Sequence, residues 1–268
     1  MSRRVLTMFM IIFVIFLYAP TLLLPIFAFN DSSIISFPLS GFTLNWLKSL
    51  GAAEELRKAA GTSLIIASVS SIIATMLGLL ATSATVRYQF PGKGFAIGAI
   101  MLPMFLPEII IGVSLLTVVL LAGFKLSIYT IIMGHVLICT PFCIAILRSS
   151  FQQLDPSLEE ASLDLGESRI NTFRRVTLPL IMPGVVSSLL IGFTISLDEF
   201  VIAFFLSGTE PTLPVYIWSQ LRFPQRIPSV MALGTLLLIL SVVLLTLSEL
   251  LRRRSARRLD QKATSGAL

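Results

Sequence analysis

Residues 154–183 read LDPSLEEASLDLGESRINTFRRVTLPLIMP. The stretch lies between two long apolar runs, and its polar punctuation is that of helices. Asp155-Pro156 is an N-cap followed by proline at the first helical position, where a missing N–H breaks no bond. Ser157-x-x-Glu160 offers an alternative capping box one step on. Leu154, Leu158, Ala161 and Leu165 recur at i, i+4, i+7 and i+11, the spacing of one helix face. Asp155, Glu159 and Asp164 are expected to turn elsewhere. Gly166 is placed as a helix stop. Ser168 is expected to cap a second short helix through Phe173 and Val176, with Leu178-Pro179 and Pro183 ending it and starting the next apolar run. Periodicity alone fits two arrangements: a helix on a membrane surface or a helix presented to a groove in a partner protein.

The composition says what surrounds this loop. Of 268 residues, 55% are hydrophobic and 13% charged, and the mean hydropathy is +0.92; a soluble domain averages about 25% charged. A soluble chain so poor in charge would expose large apolar patches. An ordinary soluble domain, a disordered chain and a nucleic-acid binder are therefore excluded. The expectation is an all-α, polytopic membrane protein forming one domain over residues 1–268. Six segments reach the roughly 20 apolar residues a bilayer needs: 5–29, 62–86, 95–120, 127–147, 184–206 and 230–251. They leave 148–183 as the long loop. Arg3-Arg4 resemble the basic start of a signal peptide, but the apolar run is too long and Asn30-Asp31-Ser32 follows it, so a retained helix is expected.

Lysine and arginine divide unevenly between alternate loops. Fourteen of the 20 fall on the side of both termini and the 148–183 loop, six fall on the other, and none lies in a span. The richer side is expected to be cytoplasmic, with both termini inside. The basic run Arg252 to Arg258 then reads as a topology anchor beside anionic membrane lipid. The second span, with Ser63, Ala67, Ser68, Ser71, Ala74, Thr75 and Gly78, is expected inside the bundle, because small residues let helices approach. The phenylalanine-rich first span is expected to face lipid.

Glu108 in the third span and Asp198 and Glu199 in the fifth are carboxylates in apolar runs. Such groups cost roughly 3 kcal/mol on insertion scales and mark pathways. Pro103 and Pro107 precede Glu108, so a bend or break is expected there. On an unbroken helix Asp198 and Glu199 would stand about 100° apart and could border one cavity, with one of the two structural. Glu108 has a second reading as a protonated carboxyl bonded to a broken-helix carbonyl. No Lys or Arg in a span can pair with these acids, and His135 is the sole intramembrane partner of the right charge; it reads equally as a hydrogen-bonded interior side chain. The excess of acid suits a cationic substrate. Cys139 and Cys143, four apart, read as packing rather than a zinc site. Tyr216 and Trp218 mark a possible outer mouth, read either as interfacial anchors or as contacts for an amine or a binding protein.

Glu160-Ala161-Ser162, Gly166, nine residues and Val176-x-Leu178-Pro179 resemble the E-A-A-x-x-x-G, nine residues, I-x-L-P signature of ABC importer permeases. The departures are Ser162 for Ala and Val176 for Ile. Phe29-Asn30-Asp31-Ser32, Phe42-Thr43-Leu44-Asn45-Trp46, Ser196-Leu197-Asp198-Glu199 and Leu213-Pro214 are similar to the spermidine/putrescine branch, and to the shorter of its two permease subunits. The resemblance implies a type I importer permease in a bacterial inner membrane, carrying polyamines, with another small amino compound, an opine or a phosphonate as the alternative. It implies that Glu160, Ala161, Ser162, Gly166, Val176, Leu178 and Pro179 couple to an ATPase, and that the partners are a second permease subunit, an ATPase dimer and a periplasmic or lipid-anchored binding protein. No G-x-x-x-x-G-K-[ST] occurs in the chain. This chain is therefore expected to be no enzyme and to bind no cofactor, with ATP and magnesium on the partner. An ATP-independent secondary transporter or channel is the rival class, and it leaves the 148–183 motif without a purpose.

Overall fold

The computed structural model describes residues 3–32, 37–239 and 242–243. They are almost entirely helical, with one isolated bridge between Asn30 and Phe42. By its contacts the chain divides into two compact units: Met1–Glu54 with Ile217–Leu268, and Glu55–Tyr216.

In the first unit α1 (Arg3–Ala28) is apolar throughout, and nearly all of its side chains are exposed until Phe27 and Ala28. This is the helix expected to face lipid. Buried Asn30 then organises the turn after it. Its Oδ1 accepts from the Ser40 amide at 3.0 Å, and its carbonyl accepts from Trp46 Nε1 at 2.8 Å. A short helix, α2 (Asn45–Ala52), follows. Near the other end of the chain, residues 227–239 are helical, and a Cβ at Gly234 would lie 3.3 Å from Leu24 of α1. The expected sixth span begins within this helix. The rest of it, and the basic run 252–258, lie outside the described residues.

The second unit holds the long helices. α3 (Glu54–Arg87) starts eight residues before the expected span, because Glu54 and Glu55 suit a helix N-terminus although they end an apolar run. Ser63, Ala67, Ser71, Ala74, Thr75 and Gly78 are buried as expected, and Ser70 with them, while Ser68 on another side of the helix is exposed. The expected third span is two helices, α4 (Lys93–Met101) and α5 (Glu108–Leu121), with a 3₁₀ turn at Leu102–Met104. They are bent by 104° at the break, where Pro103 and Pro107 withdraw backbone donors. α6 (Ile128–Gln153) runs six residues past its expected end at 147, so Arg148 to Gln153 belong to a helix rather than to the loop.

Two expected boundaries are corrected. Leu178-Pro179 ends no helix: α8 (Arg169–Thr172), a π-helical turn at Phe173–Thr177 and α9 (Leu178–Asp198) are continuous. The Leu178 amide bonds back five residues to Phe173, and this widened register is followed at once by Pro179, the residue that cannot join the ladder. The expected span 184–206 is broken instead at Glu199, where ψ is 113°, and α10 (Val201–Leu206) resumes beyond it. α11 (Leu213–Leu221) occupies what was read as loop.

Among the described residues, four helices are long and apolar enough to cross a membrane, or five if α4 and α5 form one broken span. α6 and α9 pack closely on small residues. A Cβ at Gly192 would lie 3.4 Å from Ser71 of α3. Thr75 and Ser188 share a hydrogen bond at 3.1 Å, and Cys139 Sγ donates to the Gly192 carbonyl at 3.5 Å. Both cysteines are buried and free, in keeping with the packing reading.

Candidate functional site

The 154–179 segment forms the helices its caps foretold. Asp155 Oδ1 accepts from the Ser157 amide at 3.0 Å, and this amide holds the Asp155 carboxyl below the usual carboxylate range. α7 (Pro156–Asp164) follows. The capping box offered by Ser157 and Glu160 is not used. Gly166 stops the helix at φ +88°, a left-handed conformation only glycine takes without a Cβ penalty. Ser168 Oγ accepts from the Asn171 amide at 3.3 Å and opens α8.

The apolar stripe of α7 turns away from the protein, as both readings of it required, except at Leu154. Leu154 is buried with Phe151 and Ile181, but Leu158 (46% exposed), Ala161 and Leu165 (86% exposed) point away from the protein, and Ile170 is exposed beside them. The inward contacts are polar. Glu159 Oε2 pairs with Arg87 Nε at 2.9 Å, and its Oε1 accepts from the Thr177 hydroxyl at 2.6 Å. Ser162 Oγ meets Thr172 Oγ1 at 3.0 Å. Thus the motif residues separate. Glu160, Ala161, Gly166 and Pro179 are exposed, while Ser162, Val176 and Leu178 are partly covered. Arg87, Glu159 and Thr177 were missed, because an ion pair spanning 72 positions leaves no local signal in sequence.

The intramembrane acids sit at helix ends. Glu108 is exposed in the first turn of α5, where a carboxylate meets the positive end of the macrodipole. Glu199 is buried, and its Oε1 accepts from the Ile202 amide at 2.9 Å. It therefore caps α10. Asp198 ends α9 and is exposed. The pair does not share a helix, so the 100° relation fails at the break. α10 packs on α5 through Ile111, Val119, Ile202 and Leu206. No ion pair of Glu108 or Asp198 occurs among the described residues. His135 joins none of them. It is 1% exposed, and its Nδ1 lies 2.7 Å from Ser196 Oγ. Tyr216 and Trp218 lie on α11, with Trp218 47% exposed. Among the described residues no cluster of three metal-ligating side chains is found.

Residues 74–261 match the family model of the binding-protein-dependent transport system inner membrane component. The chain belongs to this family of ABC-transporter permeases and is a multi-pass inner-membrane protein. It is 35% identical over 239 residues to the spermidine/putrescine transport system permease protein PotC of Escherichia coli K12, covering 89% of this chain and 90% of that one. It is 37% identical to the putrescine transport system permease protein PotI of the same organism, over 83% and 82%. In fold it is similar to a bacterial ABC transporter involved in alginate import, with a TM-score of 0.72, 18% identity and 94% of each chain covered.

Proposed function

We propose that this chain is one of two permease subunits of an importer that carries polyamines inward, driven by ATP bound with magnesium on a partner ATPase dimer and supplied by a periplasmic or lipid-anchored binding protein. Six spans place both termini and the 154–179 segment on the cytoplasmic side. α7 docks on the ATPase through Leu158, Glu160, Ala161 and Leu165, with Gly166 turning the chain and Ser162, Val176, Leu178 and Pro179 carrying it back to α9. Asp198 and Glu108 face the substrate pathway, Glu199 holds the break that presents them, and Tyr216 and Trp218 stand at the outer mouth.

The observation that carries this reading is the outward stripe: a capped α7 whose leucines are exposed while Glu159 and Ser162 are bound inward. An apolar face offered outward from anchored polar contacts fits a protein groove. A cationic cargo is supported by exposed Asp198 and Glu108 without an ion pair among the described residues, and by the two relatives' names.

A divalent amine entering a negative interior gains about 4.6 kcal/mol per 100 mV, so inward movement alone does not require ATP. The test is uptake by the reconstituted complex with the membrane potential clamped at zero. Accumulation that needs both ATP and the binding protein is expected. Uptake that follows the potential and ignores ATP would make the chain a channel or secondary carrier.

A further inference from the structure

We propose that Arg87, Glu159 and Thr177 form a directional joint through which displacement of α7 reaches α3 and α9, so that Arg87 and Glu159 are positioning residues for coupling. One carboxylate makes both bonds: Glu159 Oε2 to Arg87 Nε at 2.9 Å at the end of α3, and Oε1 to the Thr177 hydroxyl at 2.6 Å where the π turn enters α9. The two charged side chains are only 21% and 19% exposed. The Arg87 guanidinium also lies 5.9 Å over the ring of Phe151, which is 1% exposed near the end of α6. Two membrane helices thus meet at one side chain of α7, and the third meets its partner Arg87.

The other anchor of this segment is the apolar cluster of Phe151, Leu154 and Ile181. Apolar contact resists separation but not sliding, because it is non-directional. The ion pair with Arg87 opposes separation of α7 from α3 although the Arg87 Nε–H is not aimed along it, and the hydroxyl bond from Thr177 sets an angle as well as a distance toward α9. The segment's other ion pair among the described residues, Glu167–Arg175, has its arginine 70% exposed and reaches the π turn but not α3. Two features let the joint move as a unit. A cavity of about 250 Å³, bordered by Ser83, Tyr88, Leu163 and Arg169, lies beside it. The π turn Phe173–Thr177 ends at Thr177, and such turns are irregular segments often found at functional sites.

This inference rests on the reading that α7 docks on an ATPase. The experiment therefore uses the complete complex in proteoliposomes and reads uptake per ATP hydrolysed. Glu159→Gln and Arg87→Gln should assemble and hydrolyse ATP, with that ratio down by about tenfold, since each removes one partner of a semi-buried pair. The double variant should lose no more than the worse single, as expected for two ends of one bond. Arg87→Lys, which keeps the charge, should recover most of the ratio. Wild-type ratios in both single variants, or additive losses in the double, would overturn the joint while leaving α7 docking intact. Failure of every variant to assemble, Arg87→Lys included, would make the pair a fold determinant and also overturn it. A wild-type complex without ATP-dependent uptake would overturn the docking reading, and the joint with it.

Discussion

α7 and α10 both begin at a carboxylate, and they use it in opposite surroundings. Asp155 starts α7 at an exposed position, accepting from the Ser157 amide. Glu199 starts α10 while buried, accepting from the Ile202 amide. The exposed cap is surrounded by proline, serine and glycine, and the helix it opens is evident in the sequence. The buried cap stands inside an apolar run that reads as one continuous span. Its neighbour Asp198 remains exposed. The contrast shows that a cap does the same bonding work in both places, but only a water-facing one announces itself, because inside a span the apolar neighbours outweigh a single acid in any hydropathy sum.

The comparison breaks most visibly at Gly166. Gly166→Asp places a Cβ at φ +88°, costing roughly 1–2 kcal/mol locally and tilting the exit from α7. ATP hydrolysis should persist while uptake falls to background, with the chain still inserted in the membrane. Normal transport by this variant would remove the docking role of α7.

Glu199 tests the buried cap. Glu199→Ala leaves the Ile202 amide buried without its partner, which costs about 1–3 kcal/mol. Thermal unfolding in detergent should show it, and Glu199→Gln, which keeps an acceptor oxygen, should lose less. Equal losses would mean that charge, not capping, holds the break.

Asp198→Asn keeps shape and removes charge. Polyamine uptake should drop roughly fivefold, about 1 kcal/mol at the pathway, with assembly and unfolding temperature unchanged. If neither Asp198→Asn nor Glu108→Gln alters uptake, the acids have no part in the cation pathway.

The smallest effect belongs to the exposed cap. The Asp155 carboxyl is held below the ordinary range, so its folded form favours the ionised state. The stabilisation is complete above the unfolded pKa of about 4 and is lost as pH falls through the lowered folded value. Amide exchange at Ser157 should be slow at neutral pH and speed up only in acid. Asp155→Ala should exchange fast throughout, with uptake nearly unchanged.

Much of the candidate site was legible because it is written locally. Asp155, Pro156, Gly166 and Ser168 each act on atoms within three residues, and each acts as its residue type dictates. Pro103 and Pro107 likewise announced the bend before Glu108, and the small residues of α3 announced a buried face. Both sequence readings turned the α7 stripe outward, but the sequence could not show what holds it so. The period of Leu158, Ala161 and Leu165 is the same whether the stripe turns inward or outward. Only the pairing of Glu159 with Arg87 and Thr177, and of Ser162 with Thr172, turns the leucines out.

The sequence by itself determined an apolar, helical, polytopic chain, its capped loop and the acids within its runs. All of these rest on transfer energies and on hydrogen bonds between near neighbours. The tertiary structure alone decided that α9 runs through Pro179 and stops at Glu199. It also decided that Glu199 turns its carboxylate to the Ile202 amide, and that a single carboxylate ties α7 to α3 and α9. The physical reason is range. Propensity and periodicity act within a turn or two of helix, whereas an ion pair or a cap in a packed bundle depends on which distant backbone arrives beside it.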